Sequence, residues 1–155
     1  MRRALASIGL TLVALLGGDH VASAQEGVPQ RRLGVSWDEG APRLTFNARD
    51  LVNREAREKL ESGLPQTIAM RIYAYRDGES DPLAITVRSC RVVYDLWEEV
   101  YRVQVKTARH DRTYEEEELE GVLERCVIVR RGRIGRASAY RSVRGRRVYF
   151  AALFE

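Results

Sequence analysis

Residues 68 to 75 read Ile-Ala-Met-Arg-Ile-Tyr-Ala-Tyr, with Ile68, Met70, Ile72 and Ala74 falling on one side of an extended chain and Ala69, Arg71, Tyr73 and Tyr75 on the other. A period of two suits a pleated strand and smears around a helix of 3.6 residues per turn. Residues 66–76 are therefore predicted as a strand, closed by the turn-rich stretch DGESDP. The same period recurs at Leu44 and Phe46 within residues 43–48, at Leu83, Ile85 and Val87, at Cys90, Val92 and Tyr94, and at Tyr101, Val103 and Val105. A chain built mostly of such segments must bury one face of each sheet against another layer. The expected fold class is mainly β (α+β): a single antiparallel sandwich or partly open barrel with two short helices.

Between Val87 and Cys90 the apolar register slips by one residue. A β-bulge at Arg88 and Ser89 would return all six apolar side chains to one side. The stretch RVVYDLWEEVYRV, residues 91–103, admits two readings. Val93, Tyr94, Trp97, Val100 and Tyr101 fit a helical stripe, but the alternating flanks and β-branched content favour two strands joined at residues 95–99. In that hairpin Tyr94 and Tyr101 pair across the mouth. Trp97 sits in the turn, folded over the end of the sheet, and is the member open to a ligand or partner.

The first helix is expected to start at Asp50 as cap and to present Val52, Ala56 and Leu60 along one stripe; Gly63 and Pro65 end it. The second is expected over residues 115–125 (EEEELEGVLER), with Leu119, Val122 and Leu123 inward and its acids in the first turn, where the helix dipole favours them. CVIV, an arginine-rich turn RRGR, and two alternating segments separated by Arg144 and Gly145 follow. The apolar run before Glu155 reads as a final strand or as a cut through a longer chain.

The first residues combine Arg2 and Arg3, an apolar run from residue 4 to residue 16, and the small-residue site Ala22-Ser23-Ala24. These are the three parts of a secretory signal, and the run is well short of the roughly 20 residues that cross a bilayer. Residues 1–24 are read as a signal peptide, 25–32 as a flexible leader and 33–155 as one β-rich domain large enough to bury a core. The expected location is outside the cytoplasm: the periplasm, or beyond it by secretion. Nucleic acid is then an unexpected partner, and no segment after the signal is expected to span a membrane.

Charge is unevenly distributed. Residues 115–124 hold six glutamates, and residues 125–147 hold nine arginines with no acid among them. Such a switch suits a surface meeting an anionic envelope component, or a solvated helix face followed by strands with arginine on the wet side. The 24 arginines against two lysines carry no functional weight alone, since a GC-rich coding genome produces that bias.

The strand and helix that stop at Ser62-Gly63-Leu64-Pro65, the tyrosine-bearing strand over residues 68–75, and Tyr94-Asp95-Leu96-Trp97 followed by Tyr101-Arg102-Val103 resemble an exported bacterial family described as domain of unknown function 4390. The resemblance covers residues 33–105 well and the remainder loosely. It implies an envelope-exported β-rich domain, and it supplies no catalytic residues.

Beyond the signal there is one histidine, His110, in the charged stretch ARHDRTY, and there is no G-x-S-x-G elbow. Two distant cysteines and one histidine do not compose a zinc site. EEEE lacks the alternating oxygens of a calcium loop. RGRIGR lacks the spacing of a phosphate loop. Asp95, Glu98 and Glu99 could supply paired carboxylates, though turn placement explains them equally. No catalytic, metal or cofactor residues are assigned, and a non-enzymatic role is expected. Cys90 and Cys126, an even pair on apolar faces, suit one disulfide in an oxidising compartment; the other reading is two buried thiols. A bond would close a loop of about 36 residues and stabilise the fold by about 3 to 4 kcal/mol.

The functional expectation is an envelope accessory or binding module. Arg130, Arg131, Arg133, Arg136, Arg144, Arg146 and Arg147 would meet an acidic partner or envelope protein, with Tyr94, Trp97 and Tyr101 as a second contact. The competing class is a periplasmic carrier of a small apolar ligand or lipid held inside the β layer. An enzyme of unknown type ranks third.

Overall fold

The computed structural model describes residues 32–143 and 145–155. The expected signal peptide and all but the last residue of the leader lie outside the described residues, as does Arg144. Two antiparallel sheets form the body. The smaller joins β1 (Gly34–Asp38), β2 (Ala41–Asn47) and β7 (Ile128–Arg133) in the order β1-β2-β7. The larger contains β3 (Gln66–Arg76), β4 (Pro82–Asp95), β5 (Val100–Thr107), β6 (Asp111–Glu116) and β8 (Val148–Phe154), ordered β6-β5-β4-β3-β8. Helix α1 (Arg54–Leu60) links the small sheet to β3, and α2 (Leu119–Val127) links β6 back to β7. Neither sheet closes on itself, so the architecture is a sandwich rather than a barrel.

The long strands β3 and β4 carry two coverings on one face. Over one half, Leu44 of β2 and Val129 of β7 pack on Met70, Ile72 and Ala74 of β3, with Ile134, Tyr140 and Val143 closing the cluster. Over the other half, Val122, Leu123, Cys126 and Val127 of α2 pack on Cys90 and Val92 of β4 and on Tyr101, Val103 and Val105 of β5. Each fully buried leucine or valine here contributes about 1.5 to 3 kcal/mol relative to exposure. Sandwich and helix-on-sheet packing thus share one large sheet. The Cys90 and Cys126 sulfurs meet at bonding distance, with Cα atoms 5.4 Å apart, joining β4 to α2 within the second half. Arg88 reaches in beside them, donating to the carbonyl oxygens of Arg125 and Ile128 at the end of α2. A cation there complements the helix dipole, although burial lowers the Arg88 pKa from its ordinary value.

The alternation expected for residues 66–76 and 101–105 is present, and Tyr94 faces Tyr101 in the hairpin register. Gly63 adopts φ +77° after α1, as its place in SGLP predicts, with Leu96 packed over it. Other expectations need correction. Asn53, not Asp50, caps α1: its side chain accepts from the Ala56 amide at 2.9 Å, while Asp50 lies in a preceding 3-10 turn, Arg49–Leu51. No bulge occurs at Arg88 and Ser89; the register with β3 runs unbroken there, and the irregularity falls between Ala74 and Tyr75, where Leu83 is the extra residue. Ile85 and Val87 consequently face outward, exposed, while Ala84, Thr86 and Arg88 take the inner face.

The glutamate run is not a helix start. Glu115 and Glu116 finish β6, pairing with Arg102 and Tyr101 of β5, and α2 begins only at Leu119. Cys126 lies in the last turn of α2 rather than after it. RRGR is strand rather than turn, bent where Arg131 takes φ 49° and the β2 register shifts between Leu44 and Phe46. The first of the two late alternating segments is a 3-10 helix, Ala137–Val143, whose three-residue turn sets Tyr140 and Val143 together on the inner side; the second is strand β8. Strands β1 and β6 were not anticipated: Asp111 and Arg112 leave β6 without an apolar period, and the short alternation of Leu33, Val35 and Trp37 in and before β1 was missed, its side chains lying exposed rather than in a core.

Candidate functional site

A cleft of about 510 Å³ opens beside the β1–β2 turn, lined by Trp37, Gly40, Tyr140, Arg141, Val143 and Arg146 among others. Its aromatic wall joins two remote parts of the chain. Trp37, near the end of edge strand β1 and opposite Pro42, stands edge-on to Tyr140, with centroids 5.5 Å apart and planes at 87°. That T-shaped arrangement sets a positive ring edge against a negative ring face. Tyr140 is 4% exposed and Trp37 54% exposed, so the first is foundation and the second is the accessible surface.

The wall is pinned from beneath. The Tyr140 hydroxyl donates to the Ile134 carbonyl at 2.9 Å, and the Ile134 amide donates to the Pro42 carbonyl at 3.0 Å. Gly135, with φ +69°, lets the backbone approach β4: its amide donates to Thr86 Oγ1 at 3.0 Å, and an added Cβ would collide with Ala84. Glycine is required there by both conformation and space. Burial pushes the Tyr140 phenol up to about 12. Arg141 projects from the 3-10 helix and Arg146 from the turn that follows it, both exposed at the cleft.

The sequence-predicted residues lie in two other settings. At the far end of β4, Tyr94 and Tyr101 meet with centroids 4.6 Å apart. Burial, with Glu61 and Tyr94 adding to it, raises the Tyr101 pKa. Trp97 is not folded over the sheet; it is 97% exposed, its amide held by Asp95 Oδ1 at 3.0 Å. The Asp95 carboxylate also accepts from the Glu98 amide, and those two amides, Glu98 first, lower its pKa. Arg102 pairs with Glu98 at 2.6 Å and Asp95 at 3.4 Å. These acids hold a turn together.

Several arginines of the expected basic surface face carboxylates. Arg130 pairs with Glu124 at 2.6 Å, Arg133 with Glu39 at 3.1 Å and Arg147 with Asp77 at 3.5 Å. The Arg131 amide donates to Thr45 Oγ1, and its carbonyl accepts from Arg43. Arg136 is exposed beside the 3-10 helix, and Arg146 reaches the cleft. His110 is an exposed turn residue whose carbonyl accepts from the Thr107 amide at 2.8 Å. Among the described residues no three His, Cys, Asp or Glu side chains gather as metal ligands, and no helix is long and apolar enough to cross a membrane.

Trp37, Tyr140 and Arg141 were missed by sequence reasoning, because nothing local links GVSWD to RASAYRSV; the one available sign was an aromatic flanked by small residues and arginine. Comparison with protein-family models, with curated proteins and with solved structures finds no match.

Proposed function

We propose that this chain is an exported, non-enzymatic binding module of the cell envelope, and that the Trp37–Tyr140 cleft takes the acidic component it recognises. The observation that carries this reading is the state of the two cleft arginines. Arg141 and Arg146 have no ion-pair partner among the described residues, whereas Arg130, Arg133 and Arg147 nearby in sequence each have one. Two uncompensated guanidinium groups beside an exposed indole offer bidentate donors to phosphate or carboxylate and a flat surface to the body that carries it. The resemblance to an exported family and the signal-like first residues support the envelope setting.

Trp97→Phe leaves Trp37 as the single tryptophan and hence as a reporter inside the cleft. Titrating that variant with phosphatidylglycerol vesicles at low salt is expected to shift Trp37 emission, with phosphatidylcholine vesicles inert and added salt reversing the effect. Arg141→Ala combined with Arg146→Ala is expected to weaken binding by about 30-fold, from roughly 1 kcal/mol per arginine at an anionic surface. Equal response to both vesicle types, or binding unchanged in the double variant, would exclude the cleft as the anionic site.

A further inference from the structure

Among the described residues β8 forms one border of the five-stranded sheet, paired with β3 alone. Its sequence, VYFAALF, has no charge, no proline and no glycine, and its register against β3 runs without a shift from Val148 to Phe154. Flat apolar edges of this kind template pairing with another strand, and folds ordinarily blunt them with charge, proline or bulges. The opposite border is blunted: β6 reads DRTYEE. In the small sheet, β7 carries Arg130, Arg131 and Arg133 and an irregular register, and β1 has five residues. The unprotected edge of β8 therefore stands apart.

Its hydrogen-bonding phase is fixed. Glu155 and Ala69 exchange both backbone bonds, at 2.8 and 2.9 Å, and the Arg147 carbonyl accepts from Asp77. Odd-numbered residues of β8 thus face β3, and the amides and carbonyls of Val148, Phe150, Ala152 and Phe154 point away from it. On the outer face Tyr149 stacks on Tyr75 at 5.1 Å, Tyr75 lies 6.1 Å from Tyr73, and Leu153 is exposed.

We infer that β8 is a homodimerisation edge, pairing antiparallel with β8 of a second copy about a two-fold axis at Ala151 to form one ten-stranded sheet. A two-fold interface demands that residue i face j while j faces i. Centred on Ala151, Phe150 and Ala152 exchange bonds across the axis, as do Val148 and Phe154, using the groups that face away from β3. Tyr149 lies over Leu153 of the other copy. Arg147, which pairs with Asp77 at 3.5 Å, then stands opposite Glu155, which pairs with Arg71 at 2.9 Å, so each end of the edge brings opposite charges together beside pairs already formed within one chain. The small Ala151 occupies the close, non-hydrogen-bonded position on the axis, where Cα atoms approach to about 4.5 Å.

Sedimentation of the purified chain over a range of concentrations tests this, and a monomer–dimer equilibrium is expected. Ala152→Pro deletes an amide that faces the open edge and spares every bond to β3, so it is expected to weaken the dimer roughly tenfold or more without unfolding the chain. If proline disturbs the fold by circular dichroism, Leu153→Lys, at an already exposed side chain, sets a charge against Tyr149 of the other copy and is expected to act the same way. Ala151→Cys reads the register: an intermolecular disulfide is expected at 151, with none for Leu153→Cys. A monomer at all concentrations, a dimer indifferent to both edge variants, or a crosslink at 153 without one at 151 would each overturn the proposal.

Discussion

Trp37 and Trp97 are the chain's two tryptophans, each near a strand end beside a turn, and they have opposite surroundings. Trp97 lies between Tyr94 and Tyr101 in an aromatic-bearing hairpin and ends 97% exposed. Trp37 stands alone in sequence, yet it forms the wall of a cleft because the segment from Ile134 to Arg146 returns to meet it. A hairpin tip gathers residues that are already neighbours, and little reaches over it. Concavity requires a second segment from elsewhere in the chain, and Tyr140 supplies one about a hundred residues later.

The comparison is broken most sharply at Tyr140. Tyr140→Ala is expected to cost about 3 to 5 kcal/mol in chemical denaturation, since a 4% exposed ring that supports Trp37 is replaced by a void. Binding at the cleft should fall with it. The half around the hairpin has its own staple, and replacing Cys90 and Cys126 together by alanine is expected to cost about 3 to 4 kcal/mol, read in the same way. Tyr94 and Tyr101 then rest on α2 packing without a covalent tie. A midpoint unmoved by loss of both sulfurs would show that the two halves share their stability more evenly than their separate clusters suggest.

A finer test removes one atom. Tyr140→Phe keeps the ring against Trp37 and deletes the bond to the Ile134 carbonyl, for an expected loss of about 1 to 2 kcal/mol at neutral pH. The pH dependence carries a signature of its own. Burial lifts the phenol to about 12 from the ordinary tyrosine value of 10.0, so the folded chain holds this proton more tightly than the unfolded one. The associated stability is complete below pH 10 and is lost as pH rises from about 10 to about 12, by an order of 2 kcal/mol. Parallel denaturation series for the parent and the phenylalanine variant should converge across that window; curves that stay parallel would place Tyr140 in wetter surroundings.

What could be read in the sequence follows the range of the interactions involved. The strand at Gln66–Arg76 was legible because its alternation is set by adjacent residues, and the hairpin pairing of Tyr94 with Tyr101 because a short turn fixes its register. The Cys90–Cys126 pairing was legible from count and setting. The slip in β4 was misread for a physical reason. The rule that apolar residues share one face assumes one buried face along the whole strand. Here half-buried Arg88 takes the inner face as a donor to the end of α2, and Ile85 and Val87 are left outside. The glutamate run was misread because its partners are remote: Glu116 answers Arg125, and Glu120 answers Arg49 and Arg57. Those pairings appear only once α2 crosses the sheet. The cleft was illegible for the same reason as α2's contacts, since Gly135 and Tyr140 act through β4 and β1 and not through their neighbours.

The smallest expected effect is the sharpest check on the contrast between the tryptophans. Trp97→Ala removes the largest side chain of the hairpin, but the turn is organised by Asp95 accepting from the Trp97 and Glu98 amides, bonds that survive the substitution. Leu96, next to it, supplies the contact with Gly63 that seats the turn on the end of α1. An indole with almost no neighbours contributes almost no burial, so the change should stay within about 0.5 kcal/mol and leave cleft binding intact. Denaturation of this variant beside Trp37→Ala measures both halves of the contrast, with the Trp37 variant expected to lose about 1 to 2 kcal/mol and the aromatic wall together. Should Trp97→Ala instead abolish binding while stability holds, the exposed indole would be the contact itself, and recognition would lie at the hairpin tip, roughly 35 Å along β4 from the Ala84–Gly135 approach at about 3.3 Å per residue.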